Sequence, residues 1–286
     1  MPTLHRWLIA PACACAALAA CGPAKPDNGL DNAAVPENET SDSVLPVAVP
    51  PLDREALLIA VMRATSATAL GRDDAEAQRE FEGKRFELRI RFGCNGPTDA
   101  RQPLSWRFDE PTRTLRLAAR PDVSAEDPLV AAMVGKDGIE EVEGFWIPRP
   151  WLLTAACPAA PPPAAPPAES SAADQEPKEP AAPLAPPPAE QRVAIAQFFT
   201  DTDARTGRQT DRAYEAVVAL AEGAAPSAEG YNLVLSGRLQ ALPGGKVIGC
   251  AAPAPGRRPD CIISAHIDEA RMERPDNGAI LARWGR

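Results

Sequence analysis

The chain has 286 residues, of which 45% are hydrophobic and 24% are charged, and its formal net charge is −9 at pH 7. An acidic chain carries no electrostatic footprint for nucleic acid, for an anionic membrane surface or for an acidic glycan, so we expect no nucleic-acid partner. The 7 cysteines and 33 prolines are unevenly spread, and their positions divide the chain into segments.

The first segment is a short apolar run. Arg6 precedes mostly apolar residues from Trp7 to Ala20. This run is shorter than the roughly 20 residues that a helix needs to span a bilayer, and it is typical of a signal peptide. Two cleavage sites remain open. Ala17-Leu18-Ala19 satisfies the small-x-small rule of ordinary secretion, and Leu18-Ala19-Ala20-Cys21 offers a second pattern.

Leu18-Ala19-Ala20-Cys21 resembles the lipobox of bacterial membrane lipoproteins, and the resemblance covers residues 1–22 only. It implies that residues 1–20 are a signal peptide, that the Cys21 thiol is joined to diacylglycerol, and that the new amine receives a fatty acid such as palmitate. Because one acyl chain binds only marginally, two or three chains make the membrane a firm partner. Gly22, where Asp would favour the inner membrane, implies an outer-membrane lipoprotein that faces the periplasm.

Composition divides the remainder of the chain into four parts. Residues 21–51 form the lipidated cysteine and a disordered acidic tether, and residues 158–190 form a Pro/Ala-rich linker or insertion that cannot bury enough apolar area to fold. Residues 52–157 and 191–286 are patterned and hold a core. The two patterned segments could be separate domains or one composite domain, and we favour the composite.

The first folded segment opens with Asp53 as a helix N-cap, and Gly71 ends that helix. Further elements are predicted as a short helix at 73–81, an alternating strand at 86–94, a hairpin of 104–108 with 115–119, a short helix at 128–134 and a Trp-rich strand at 145–152.

The second folded segment is predicted to be mostly strand. The strands are expected at 193–199, 213–220, 231–241 (with a bulge at Gly237), 247–250, 261–268 and 279–284, and a solvated hairpin loop is expected between the first two. The predicted fold class is therefore α+β, mainly antiparallel β. We expect a sandwich- or barrel-like sheet with an N-terminal helix, interrupted by the Pro/Ala-rich segment.

Four cysteines remain after Cys13 and Cys15 leave with the signal peptide and Cys21 takes lipid. In an oxidising compartment, four cysteines predict two disulfides with three possible pairings. We favour Cys94–Cys157 and Cys250–Cys261, because each pair lies within one folded segment. On the chain-entropy model they stabilise by about 4 and about 3 kcal/mol. No CxxC spacing occurs, so we expect no metal site.

No catalytic motif stands out. His266 is the one histidine after the signal peptide and falls on the polar face of a predicted strand, and no Gly-rich phosphate loop predicts a cofactor. An EF-hand counted from Asp201 would place Arg205 and Arg212 at ligand positions, which excludes it. The charge run of Glu140, Glu141 and Glu143 is expected to be a solvated face.

One aromatic stretch could contact a partner. Phe145, Trp146, Arg149 and Trp151 could stack on a glycan or anchor an envelope protein, as Trp and Arg do at interface hot spots. Alternatively the tryptophans fill the core. The sequence thus favours a non-enzymatic binding or assembly module in the cell envelope. The alternative is an envelope glycan hydrolase that uses carboxylates.

Overall fold

The fold is described from a computed structural model, which covers residues 49–134, 139–158, 190–200, 214–242 and 244–285. The predicted signal peptide (residues 1–20), Cys21, the predicted tether up to residue 48, residues 159–189 of the Pro/Ala-rich segment and the predicted loop at 201–211 lie outside the described residues. No helix in the described ranges is long and apolar enough to cross a membrane.

The described elements follow the predicted order closely. The helices are α1 (Arg54–Ala69), α2 (Ala75–Gln78) and α3 (Pro128–Val134), and a 3₁₀ turn covers Arg79–Phe81. The strands are β1 (Arg85–Phe92), β2 (Leu104–Asp109), β3 (Thr114–Ala119), β4 (Glu141–Trp146), β5 (Val193–Phe199), β6 (Tyr214–Ala219), β7 (Tyr231–Leu239), β8 (Ile248–Ala251), β9 (Asp260–Glu273) and β10 (Ile280–Gly285).

Helix α1 begins and ends where its sequence predicts. The Asp53 carboxylate accepts a hydrogen bond from the Ala56 backbone N–H at 2.9 Å, which satisfies one of the free N–H groups of the first turn. Gly71 follows the helix with a φ of 62°, a left-handed conformation that favours glycine. Leu57, Leu58 and Val61 are buried on the face that packs against the sheet.

The larger sheet is built around β9. Its path runs β1-β7-β9-β5-β4, and β8 and β10 also pair with β9. The first part of β9 lies between antiparallel β8 and parallel β5, and its second part lies between antiparallel β7 and β10. The register shifts at Ser236/Gly237, the predicted bulge. A Cβ at Gly237 would collide with the His266 carbonyl, so the bulge requires glycine there.

A second sheet of order β2-β3-β6 covers the same core. Trp106 of β2 meets Tyr231 of β7 edge to face, with ring centroids 5.5 Å apart. Each sheet contains strands from both patterned segments, so the two segments share one core. Mainly antiparallel sheets packed on that core, with a helix near the start of the described chain, confirm the predicted α+β fold class.

Three predictions about strands are wrong. The Trp-rich strand lies earlier than expected, at Glu141–Trp146, because Pro148 and Pro150 have no backbone N–H and Arg149 takes a φ of 50°. Strands β5 and β6 do not form a hairpin, since β5 pairs with β4 and β9 whereas β6 pairs with β3. Strand β9 continues past residue 268 to Glu273.

The acidic run before the Trp-rich strand is not a solvated face throughout. Glu143 lies in β4 and is buried, and its Oε1 accepts a hydrogen bond from the Tyr214 hydroxyl at 2.7 Å. Burial and, next, the charge of Glu143 raise the pKa of Tyr214, so the hydroxyl stays protonated and donates.

A buried arginine fixes the segment that follows β4. Arg54 is 6% exposed, and its guanidinium donates to the carbonyls of Pro148, Arg149 and Leu152 at 2.9, 3.1 and 3.0 Å. Burial, and then the nearby charge of Arg149, lower the Arg54 pKa to about 10, so the group remains protonated at neutral pH. The first turn of α1 therefore holds this segment against the sheet.

We predict that Arg54→Met lowers the free energy of unfolding by about 3 kcal/mol, because the part-buried carbonyls of Pro148 and Leu152 lose the donor described for them. Chemical denaturation measures the change. The matched control is Arg63→Met, at an exposed position of the same helix, which should change stability by less than about 0.5 kcal/mol. Equal effects of the two substitutions would contradict this role of Arg54.

Candidate functional site

The four residues of the aromatic stretch do not form one surface. Phe145 is 1% exposed and lies in the main core, so burial removes it from any partner contact. Trp146 points to the opposite face of β4, half-buried, with the Arg192 guanidinium 4.3 Å from its ring. Arg149 is half-buried and donates to the Ala156 carbonyl at 3.4 Å. Trp151 alone is well exposed, at 52%.

The described cysteines are paired as the sequence favours. Cys94, just after β1, is bonded to Cys157 in the segment after β4, with a Cα–Cα distance of 5.5 Å. Cys250 and Cys261 are directly opposite on β8 and β9 and are bonded, with a Cα–Cα distance of 4.1 Å. In the part of the chain that the structure describes, no group of three or more His, Cys, Asp or Glu could hold a metal ion.

His266 lies on the exposed side of β9. Its Nε2 is 3.5 Å from Asp268 Oδ1, and its Nδ1 is 3.2 Å from Gln197 Nε2. The side chain is about half exposed. The four described cysteines are oxidised in disulfides, so none of them offers His266 a free thiol.

A groove on the outer face of the larger sheet is the candidate site, and sequence reasoning missed it. Its volume is about 550 Å³, and its lining contains four arginines but one carboxylate. The lining residues are Arg89, Arg91, Ala155, Asn232, Arg271, Glu273, Pro275, Gly278, Ile280 and Arg283.

Strand register places three of these arginines in one row across the sheet. Arg89 of β1 is opposite Val234 of β7, Val234 is opposite Arg271 of β9, and Arg271 is opposite Arg283 of β10. We call Arg89, Arg271 and Arg283 the arginine row. Because Val234 is short, the long side chains on either side of it reach across β7, and Val234 itself is fully buried.

Two carboxylates border the arginine row on the side away from the groove. They are Glu87 and Glu269, which face each other across Ser236, and we call them the acid row. Arg271 reaches Glu87 at 2.9 Å and Glu269 at 3.2 Å, Arg89 reaches Glu87 at 2.7 Å, and Arg283 reaches Glu269 at 3.5 Å. Two of these ion pairs, Arg271–Glu87 and Arg283–Glu269, join different strands, and together the four pairs hold the arginines in place.

On the groove side, the next row holds Arg91, Asn232 and Glu273. Arg91 Nε donates to Asn232 Oδ1 at 2.8 Å, and Arg91 Nη1 donates to the Glu229 carbonyl at 3.1 Å. The Arg91 side chain is only 12% exposed, and its carboxylate neighbour, Glu229 Oε2 at 3.4 Å, is largely exposed. Neutral acceptors therefore fix most of the orientation of this cation.

Glu273 is the one carboxylate in the described lining, and its oxygens are already engaged. Oε1 accepts from Arg89 Nε at 3.0 Å and from Asn232 Nδ2 at 3.2 Å, and Oε2 lies 3.6 Å from Arg271 Nε. The expected glycan-hydrolase arrangement needs two acids in one cleft. The groove presents one paired acid, so the hydrolase alternative remains a prediction without support from this site.

The groove walls are tied to the fold. Ala155 stands two residues before Cys157, whose Sγ is bonded to Cys94 and lies 3.2 Å from the Glu229 carbonyl oxygen. The opposite wall is the β9–β10 turn, where the Asn277 side chain accepts from the Ala279 N–H at 2.9 Å. Ile280, 48% exposed, adds apolar surface beside the charged floor.

Comparison of the chain with family models, with curated proteins and with solved structures finds no match.

We predict that the acid row makes stability depend on pH. Burial alone would raise the pKa of Glu87, but the hydrogen bond from Arg271 and the charge of Arg89 outweigh it and lower that pKa from its ordinary value of 4.5. The stabilisation is therefore complete above pH 4.5 and is lost as pH falls through the lower, folded-state pKa.

Glu87→Gln should reduce the loss of unfolding free energy between pH 6 and about pH 3 by up to about 1 kcal/mol, the upper range for partly exposed pairs. Denaturation series at several pH values measure this loss. Glu222→Gln, at an exposed carboxylate in the turn after β6, should leave it unchanged. If the unfolding free energy falls by the same amount at low pH in the Glu87 variant and in the wild type, Glu87 is not a source of the pH dependence.

Proposed function

We propose that this chain is a lipid-anchored cell-envelope protein whose folded unit binds a ligand or partner in the groove and catalyses no reaction there. The observation that carries the binding part is the groove itself. Its volume of about 550 Å³ lies within the range of roughly 300–1,000 Å³ that is usual for ligand sites.

The state of its polar groups supports binding over catalysis. A general acid or base must be free to exchange a proton during the reaction, and its pKa is usually tuned towards the working pH. Glu273 accepts hydrogen bonds from Arg89 and Asn232 and lies near a second cation, Arg271. Side chains locked by such contacts are what a preorganised binding site requires, because little conformational entropy is then lost when the ligand arrives.

The anchor part of the proposal depends on Leu18-Ala19-Ala20-Cys21. A flexible tether from residue 21 to residue 51 would span about 30 Å, by square-root scaling. The folded unit starts at its end, since Leu52 pairs with Phe86 and Asp53 caps α1. With Gly22 after the lipidated cysteine, we propose that the groove is presented to the periplasm from the outer membrane.

The anchor is tested by Cys21→Ser. We predict that the variant moves from the membrane fraction to the soluble fraction, because it cannot accept diacylglycerol. Cys15→Ser, in the apolar run of the same signal peptide, is the matched control and should remain with membranes. A Cys21 variant that still sediments with membranes after a high-salt wash would refute lipid anchoring.

The binding site is tested by photo-crosslinking in intact cells. A photoreactive amino acid in place of Ile280, on the groove wall, should yield discrete adducts. The same group in place of Val217, 62% exposed on the three-stranded sheet, should yield none or different ones. The same adduct pattern at both positions would indicate random collision and would count against the groove as the binding site.

A further inference from the structure

We infer that the groove binds an oxyanion, the phosphate or carboxylate group of a ligand of small-molecule size. The inference rests on the proposed binding function and names the chemistry of its ligand. The net charge of −9 would suggest no site for an anion. The chain nevertheless places four arginines around one groove.

The charge around the arginine row is one-sided. The acid row of Glu87 and Glu269 lies along one edge and does not line the groove. Along the other edge, Glu273 is the one carboxylate in the described groove lining, and Arg91, whose own ion pair is with the largely exposed Glu229, adds a further cation. An anion in the groove would therefore complete the coordination of the arginine row on the side where the lining supplies one acid and a further cation.

Donors remain for such an anion. Among the described hydrogen bonds, none uses Nη2 of Arg91, Nη1 of Arg89 or the Nη atoms of Arg283. The Arg283 side chain is 57% exposed, so its planar group can meet a ligand at the rim. Guanidinium groups match the two-oxygen geometry of carboxylate and phosphate.

The remainder of the lining limits the size and character of the ligand. Ala155, Pro275 and Ile280 offer apolar surface at the walls, so the oxyanion would belong to a molecule with a nonpolar portion. The acidic chain repels extended polyanions at long range, which favours a compact ligand over a charged polymer.

The test is calorimetric titration of the full-length protein in non-ionic detergent with pyrophosphate and, separately, with citrate. Sodium chloride at matched ionic strength is the background. We expect saturable binding of at least one of the two anions. Binding of pyrophosphate alone would identify a phosphate site, and binding of citrate alone would identify a carboxylate site.

Arg283→Gln should weaken that binding about tenfold or more, and Arg91→Gln should weaken it as much or more. Arg283 is the safer variant for folding, because its one described ion pair is at 3.5 Å. Arg107→Gln, at an exposed position on β2, is the matched control and should bind like the wild type.

The inference is overturned if neither anion binds above the chloride background, or if the Arg283 and Arg107 variants bind equally. Either result leaves the Ile280 crosslinks and the Cys21 fractionation as separate evidence on the proposed function. Adducts at Ile280 without anion binding would mean that the groove binds a ligand of other chemistry.

Discussion

Strand β9 is the constraint on which the larger sheet depends. Its residues pair with β8 and β5 near its start and with β7 and β10 near its end, so four strands take their position from one. The bulge beside Gly237 shifts the side-chain alternation between these two parts. Before it, Cys261 and Ile263 face the main core. After it, Ala270 and Met272 do so, which leaves Glu269, Arg271 and Glu273 on the outer face. The position of the bulge therefore decides which charged side chains face the groove.

Local signals in the sequence predicted most of the fold because they act over short distances. Alternation from Phe86 to Phe92 identified β1, Asp53 identified the start of α1, and the turn before Ala279 identified the last hairpin. Predictions failed where tertiary contacts outweigh local pattern. The charge of Glu143 suggested solvent exposure, but a partner hydroxyl on β6, contributed from 71 positions along the chain, lets it be buried. Likewise, no local sequence pattern indicates that β5 and β6 belong to different sheets.

The groove shows why net charge is a weak guide to the charge of a local surface. Each of its arginines belongs to a strand with its own unremarkable polar face, and the row exists only because Arg89 and Arg271, far apart in sequence, share Val234 as a neighbour. Register of this kind depends on the whole sheet, so a single sequence does not reveal it. The acid row keeps the local charge near balance, which lets a cluster of cations form in an acidic chain without a large repulsive cost.

The composite sheet has a consequence for the integrity of the chain. Residues 49–158 contribute β1 to β4 and residues 190–285 contribute β5 to β10, and β4 pairs directly with β5. Each disulfide lies within one of these parts. A single cut between residues 158 and 190 would therefore break no described strand pair and no cystine. Yet no covalent bond would then join the two fragments. The fold is a natural template for a split protein, in which each fragment supplies strands that the other needs to complete its sheets, and in which the groove, with Arg89 from one fragment and Arg271 from the other, exists only after reassembly.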